Sequence, residues 1–344
     1  MSKKYITIKD IAKETGFSIN TVSRALNNKS DINLKTKEII LDTVKKMGYV
    51  RNNSATQLRG HKSMILGVIT PDSSNPFFSE VYKNLEILAE RDGYQIILMN
   101  SEGFYEKEEK AISVMLERRV DGLIIFPTQQ KYDDIINLIN DNVPAVFAGR
   151  DIDTFEATTV FNDDIKGGYL AAKELTDKKC RNIIMITDEL YNSASVKRLE
   201  GFKKALISEG LVYNPDNVLI CKDLHRGTYI EQGKSIIRDF IMSGKNADGI
   251  FCYNDLIAYG VISELKRLGI KVPDSVKVTA FDDIYFSEIF SPSLTTVRID
   301  KKMLAEKSLE LLKKNIENEK NLFTKEIIDV ELIKRKSSGG ISNE

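Results

Sequence analysis

Asn20 and Arg24 are the residues near the start of this 344-residue chain best placed to do chemistry. They stand four apart in INTVSRALN, where Val22, Ala25 and Leu26 recur at helical spacing. That spacing leaves Ile19, Asn20, Ser23, Arg24 and Asn27 on the opposite face. An asparagine amide can pair in a bidentate way with adenine, and an arginine with guanine or a phosphate. Ile19 can only touch a thymine methyl or exclude a base by shape. An isolated solvated helix would show a similar face, so the surrounding pattern has to decide. Charge points the same way. Residues 1–62 carry 13 Lys and Arg against 5 Asp and Glu, and the remainder carries 37 against 45. A basic head on an acidic body suits nucleic-acid binding.

The elements that must position this face are legible. Thr7 precedes IKDIAKETG, with Asp10 three residues on, a variant of the capping box. Gly16 ends that helix, and Ser18 caps the next. Two short helices across a glycine-containing turn are a helix-turn-helix signal. A third helix starts after Asn33, with Ile39, Ile40, Val44 and Met47 as its apolar stripe. From Met64 the pattern changes. MILGVIT, QIILMN, GLIIFP and PAVFAG read as buried parallel strands separated by amphipathic helices such as 77–91 and 106–118. RNIIMIT, NVLIC, GIFCY and VKVTAF repeat the alternation. Two such sets imply two doubly wound α/β subdomains, with a ligand expected between the carboxyl ends of their strands.

Several classes are disfavoured. There is no dinucleotide fingerprint, Walker loop or nucleophile elbow. His61 and His225 are the only histidines, and no Cys/His spacing fits a metal. An enzyme is therefore not expected, nor is a cofactor. No run approaches a membrane span, and MSKKYITIKD lacks the apolar region of a secretory signal. Cys180, Cys221 and Cys252 read as buried free thiols in a reducing cytoplasm.

TIKDIAKETGFSINTVSRALN, from Thr7 to Asn27, resembles the head signature of the LacI family, roughly TxxDVAxxAGVSxxTVSRVLN. The resemblance continues through PDSSNPFF at 71–78, RVDGLI at 119–124, NDLIAYG at 254–260, VPD at 272–274, AFDD at 280–283 and SPSLTTV at 291–297. It implies a transcription regulator, most simply a repressor of carbohydrate-utilisation genes, that binds operator double-stranded DNA as a homodimer under a small-molecule effector, a mono- or disaccharide. An activator, or a global regulator working with a phosphocarrier protein or a non-sugar effector, is the alternative within the family. The implied DNA-facing set is Thr7, Ser18, Ile19, Asn20, Thr21, Ser23, Arg24 and Asn27, with Ile19 and Asn20 at the positions that set operator preference. KKMGYVRNNSATQLRG resembles the family's hinge, a short helix that enters the minor groove; Asn52, Ala55 and the wedging Leu58 match it. Arg51 stands where the family usually has proline.

The resemblance also implies an effector site at Asn75, Phe77, Phe78, Arg198, Asn254 and Asp282. Arginine and carboxylate there suit vicinal hydroxyls, and the phenylalanines suit a ring face. Gly149 replaces a frequent sugar-binding aspartate, leaving Arg150 to reach an anionic group or to pair with Asp163. Asp255 is read as a helix cap. The expected fold is an N-terminal all-α helix-turn-helix head plus an α/β core of periplasmic-binding-protein type. The head spans 1–49, the hinge 50–62 and the core 63–335, and 336–344 form a loose tail. The half nearer DNA comprises 64–161 with 292–323, and the distal half 163–290 with 326–335, so the chain crosses near 162, 291 and 324.

Overall fold

The structure, a computed structural model, describes residues 6–29, 31–49, 62–222 and 228–340 and divides into two compact units, Met1–Ser63 and Met64–Glu344. The hinge positions Asn52, Ala55 and Leu58 lie outside the described residues.

The first unit holds helices α1 (Ile8–Thr15), α2 (Ile19–Leu26) and α3 (Leu34–Met47). The Asp10 carboxylate accepts from the Thr7 N–H at 2.8 Å and from its hydroxyl at 2.7 Å, closing the first turn. Gly16 takes a left-handed conformation at φ 74°, which costs a residue without a Cβ little. Ser18 Oγ accepts from the Thr21 N–H at 3.1 Å, and Asn33 Oδ1 from the Lys35 N–H at 2.9 Å. Ile11, Val22, Ala25 and Ile40 form the core, with Val44 and Met47 packed against it. Ile39, expected in that stripe, is 50% exposed, because the face centred on Ile40 turns it to solvent.

The second unit contains two six-stranded sheets. Along the chain run β1 (Ile65–Thr70), α4 (Pro76–Arg91), β2 (Gln95–Asn100), α5 (Tyr105–Glu117), β3 (Gly122–Ile125), α6 (Asp133–Asn140), β4 (Ala145–Ala148), β5 (Thr159–Asn162), α7 (Asp164–Asp177), β6 (Ile183–Thr187) and α8 (Ser193–Ser208). Then follow β7 (Val218–Ile220), α9 (Tyr229–Met242), β8 (Gly249–Cys252), α10 (Asp255–Arg267), β9 (Lys277–Asp282), α11 (Phe286–Ile289), β10 (Thr295–Ile299), α12 (Lys301–Asn318), β11 (Lys325–Ile328) and β12 (Val330–Ile333). The first sheet has the order β11-β5-β4-β3-β1-β2 and the second β12-β10-β9-β8-β6-β7. Every pairing is parallel except β10 with β12. The central strands β3, β4, β6 and β8 are buried on both faces, as a sheet covered by helices requires.

The division between the halves corrects the sequence reading at two crossings. Residues 295–299 belong to the second sheet, since β10 pairs with β9 in the register Thr295 to Thr279. Residues 325–328 belong to the first, through Lys325 opposite Thr159. The expected final strand is thus two strands, one in each sheet. Only α12, within 292–323, packs on the first half, against α4, β3 and β4. The crossings fall on single aspartates: Asp163 between β5 and α7, Asp300 between β10 and α12, and Asp329 between β11 and β12.

The expected tail is also corrected. Lys336–Ser338 form a 3₁₀ turn whose two serines are fully buried. Ser337 Oγ donates to the Val278 carbonyl at 2.7 Å and accepts from the Thr295 N–H at 2.8 Å. Ser338 Oγ donates to Glu174 at 3.0 Å. Small polar side chains look loose in sequence, but these are paid for by partners far away along the chain.

Helices α7 and α8 touch backbone to backbone. A Cβ on Gly201 would lie 2.1 Å from the Ile165 carbonyl oxygen, and one on Gly168 would lie 2.2 Å from that of Arg198. This contact sets where Arg198 sits. Gly201→Ala should lower the unfolding free energy by about 1–3 kcal/mol through overpacking, read by urea denaturation. A loss below about 0.5 kcal/mol would mean that the two helices separate freely.

Candidate effector cleft and nucleic-acid interface

In the head, Ile19 is 46% exposed, and Asn20, Arg24 and Asn27 are exposed beside it. Ser23 and Thr21 are half-buried. Ser18 and Thr21 are bound to each other, their hydroxyls 2.9 Å apart. Arg24 forms an ion pair with Asp31 in which both partners are solvent-exposed. Such pairs are worth about 0–1 kcal/mol, so the guanidinium is cheaply transferred to a stronger acceptor. Asn27 is less available, because its amide donates to the Ser23 carbonyl at 2.7 Å and finishes α2. Asn20 and Arg24 are therefore the side chains with both the donors and the exposure to read an edge.

In the second unit one cavity lies between the carboxyl ends of the two sheets. Asn75, Phe77, Phe78, Arg198, Asn254 and Asp282 all line it. Phe77 is buried among core residues and Phe78 half-buried; their rings meet edge-on at 5.1 Å, and Phe78 meets Phe126 at 5.3 Å. Asn75 and Asn254 cap α4 and α10, accepting from the Phe77 N–H at 3.0 Å and the Ile257 N–H at 2.9 Å. Their carbonyl oxygens are thus committed, and two helix N-termini open on the cavity. Asp255 is structural, though Asn254 and not Asp255 makes the cap. The Asp255 carboxylate accepts from Ser287 at 2.6 Å, Thr296 at 2.5 Å and the Ile284 N–H at 2.9 Å.

Arg198 is 5% exposed. Its Nε donates to Asp164 at 2.8 Å and its Nη1 to the Tyr253 carbonyl at 2.7 Å, and its plane lies 3.6 Å from the Phe281 ring centroid. Asp282 ends β9 at φ 116°, a rare conformation for a side-chain-bearing residue. Burial pushes its carboxyl up to about 8, against the pull of the nearby Arg198. Burial raises the Tyr253 phenol to about 12.

Among the wall residues that sequence reading missed are Phe126, Asn162, Tyr229 and Tyr253. Asn162 and Tyr253 each stand at the carboxyl end of an apolar strand, a signal that was available. Arg150 also lines the cavity; it pairs with no carboxylate among the described residues and so not with Asp163, which instead caps α7. The cavity has about 50 Å³ of free volume and adjoins, at Pro71, Asn75 and Tyr229, a mouth of about 510 Å³. Across the cleft the Ser193 N–H donates to Gln129 Oε1 at 2.8 Å, Lys197 pairs with Asp151, and the Tyr285 N–H reaches Glu80 at 3.3 Å. A surface groove between α4 and α12 is larger than the inner cavity, but both of its lysines are paired within it, Lys313 with Asp92 and Lys314 with Glu310. Among the described residues no helix is long and apolar enough to cross a membrane, and no cluster of His, Cys, Asp and Glu has metal-binding geometry.

A helix-turn-helix unit carried on a two-sheet core with a cleft defines a DNA-binding regulator. The bacterial regulatory protein lacI family model matches residues 7–52, and the model of periplasmic binding proteins and the sugar-binding domain of the LacI family matches 63–336. The HTH-type transcriptional repressor PurR of Vibrio cholerae serotype O1 is 31% identical over 95% of this chain and 98% of its own. The PurR repressor of Histophilus somni is 31% identical over 96% and 98%. A lac repressor dimer bound to operator and the anti-inducer ONPF shares the fold, with a TM-score of 0.83 at 24% identity over 97% of this chain and 99% of that one. The regulator CelR in complex with cellobiose shares it with a TM-score of 0.72 at 23% identity over 96% and 99%. The chain belongs to the LacI family, and within it is a DNA-binding transcriptional repressor rather than an enzyme.

The cleft carries a pH signature. Asp282 has a folded pKa raised above that of the unfolded chain, so its contribution to stability is complete below the ordinary carboxylate range and is lost as pH rises through about 8. Asp255, pushed up by burial to about 7, acts in the same direction. Chemical denaturation should therefore show a loss of stability as pH rises from about 4 to about 8, levelling off above that, and Asp282→Asn should make that loss smaller. An unchanged loss in the variant would mean that Asp282 is ionised in the folded protein.

Proposed function

We propose that the chain represses carbohydrate-utilisation genes as a homodimer, with α2 reading the major groove and a sugar in the cleft setting operator affinity. The observation that carries the cleft half is convergence: six residues, singled out in four separate stretches of sequence, line one cavity at the carboxyl ends of both sheets. The name of the curated relatives favours repression over activation. The free volume of the inner cavity is well below the several hundred Å³ typical of ligand pockets, so the halves must rotate apart to admit a ring. That rotation exchanges the contacts Gln129 to Ser193 and Asp151 to Lys197, which gives the ligand differential affinity for two states. A hundredfold change in operator affinity would correspond to about 2.7 kcal/mol of coupling.

Operator sequences selected from random duplexes with the full-length protein supply the assay, and mono- and disaccharides are then screened for those that shift affinity. Asp282→Ala should abolish the response while leaving operator binding without ligand within a few-fold. A response preserved at the same sugar concentration would remove Asp282 from the site.

The head has its own test. Asn20→Ala should cost about 1–3 kcal/mol on the selected operator and relax preference at one base pair. Equal losses on operator and random DNA would reduce Asn20 to a backbone contact. Leu58→Ala, at the wedging position, should weaken specific binding and DNA bending far more than non-specific binding. Undiminished bending would exclude Leu58 as the wedge.

A further inference from the structure

We propose that the ligand of the cleft is a hydroxylated oxyanion, a sugar bearing a carboxylate or phosphate group, and that Arg150 receives the anionic group. This rests on the cleft reading above and narrows its ligand class.

The argument is one of charge balance. The cavity wall carries two guanidinium groups. Arg198 is neutralised by Asp164 at 2.8 Å. Arg150 is not: its Nη1 donates to the carbonyls of Pro127 and Thr128, both at 2.7 Å, and no carboxylate among the described residues forms an ion pair with it. The field of Asp188 favours the charged form of Arg150, but no ion pair joins the two: the Asp188 oxygens accept from the Glu189 N–H at 2.7 Å and the Asn192 amide at 3.1 Å. Carbonyl oxygens orient a guanidinium but leave its charge standing, and an unbalanced charge in a desolvated wall is costly. The preceding residue offers nothing, since Gly149 has no side chain and sits at φ 75°.

The other uncommitted groups describe the rest of the ligand. Asn162 is 1% exposed, and its Oδ1 accepts no hydrogen bond in the structure. Asp282 is 7% exposed and faces the same cavity without a hydrogen-bond partner among the described residues. Both ask for donors, which hydroxyls provide. Burial favours the uncharged form of Asp282, so it does not supply the charge that Arg150 lacks. The N-termini of α4 and α10, whose caps Asn75 and Asn254 line the wall, add positive potential. A neutral sugar would satisfy Asn162 and Asp282 and leave Arg150 without an ion-pair partner. A cationic ligand would add a third positive group.

Isothermal titration of the full-length protein tests this with matched probes: glucose, ribose and galactose, their phosphates, the corresponding aldonates and uronates, and inorganic phosphate, at constant ionic strength. At least one phosphate or sugar acid should bind at least about tenfold more tightly than its neutral parent. Preference for the phosphates or for the acids decides between the two anions. Arg150→Gln should abolish that preference and Arg150→Lys should keep part of it, while Asp282→Ala should weaken a phosphate and its parent sugar alike. If Arg150→Gln fails to fold, the preference measured on the wild type still decides. A neutral sugar that binds best, depends on Asp282 and is indifferent to Arg150→Gln would overturn the proposal and leave the cleft reading intact. If no probe binds in a manner sensitive to Asp282, Asn162 or Arg150, the cleft reading falls together with it.

Discussion

The buried Arg198 guanidinium is the interaction around which the second unit is arranged. A charge 5% exposed survives in a protein interior only if its donors are satisfied and its sign is matched. Asp164 at the start of α7 matches the sign, the carbonyl of Tyr253 at the end of β8 takes a donor, and the Phe281 ring on β9 covers the face. These partners come from three different elements, so Arg198 fixes their relative placement. The glycine contact between α7 and α8 lets it reach them, because any Cβ at Gly168 or Gly201 would push the helices apart. Packing and electrostatics here are a single constraint, read once as a helix spacing and once as a charge.

Capping serves the cleft in a similar double way. Asn75 and Asn254 tie their carbonyl oxygens to the first turns of α4 and α10, and Asn192 does the same for α8. Each helix start is thereby held at the mouth of its strand, with N–H groups directed toward the cavity region. The asparagines are scaffold as much as lining, which leaves discrimination to groups that the fold does not consume. Those are Asn162, Asp282 and Arg150.

Much of this was legible in the order of residues because it is local. The turn at Gly16, the caps at Ser18 and Asn33 and the apolar runs of β1, β3, β6 and β8 involve partners a few positions away. The six cleft residues came from the family resemblance; Asn75, Asn254 and Asp282 lie at element ends, and Phe77, Phe78 and Arg198 on helices. What escaped depends on distant pairing. Residues 325–333 look like one strand, and only pairing with residues 159–162 on one side and 296–299 on the other splits them between sheets. Ser337 and Ser338 look like a tail, and only Thr295, Val278 and Glu174 make them core. Ile39 and Ile40 are adjacent, and which one faces inward is decided by the angle at which α1 and α2 meet α3. Whether Arg150 has a carboxylate partner depends likewise on where Asp163 points, and it points into its own helix.

The single-residue crossings at Asp163, Asp300 and Asp329 have a mechanical consequence. Each link offers only two soft torsions, and each aspartate spends its side chain on the N–H of the element that follows: Lys166 at 2.9 Å, Met303 at 2.8 Å and Val330 at 2.9 Å. Three such short tethers in parallel cannot lengthen, so the halves have no room to slide or to part. What remains is a pivot. Work done on one jaw reaches the other as an angle instead of being lost as slack, and one added residue in any link would loosen that transmission without touching either jaw.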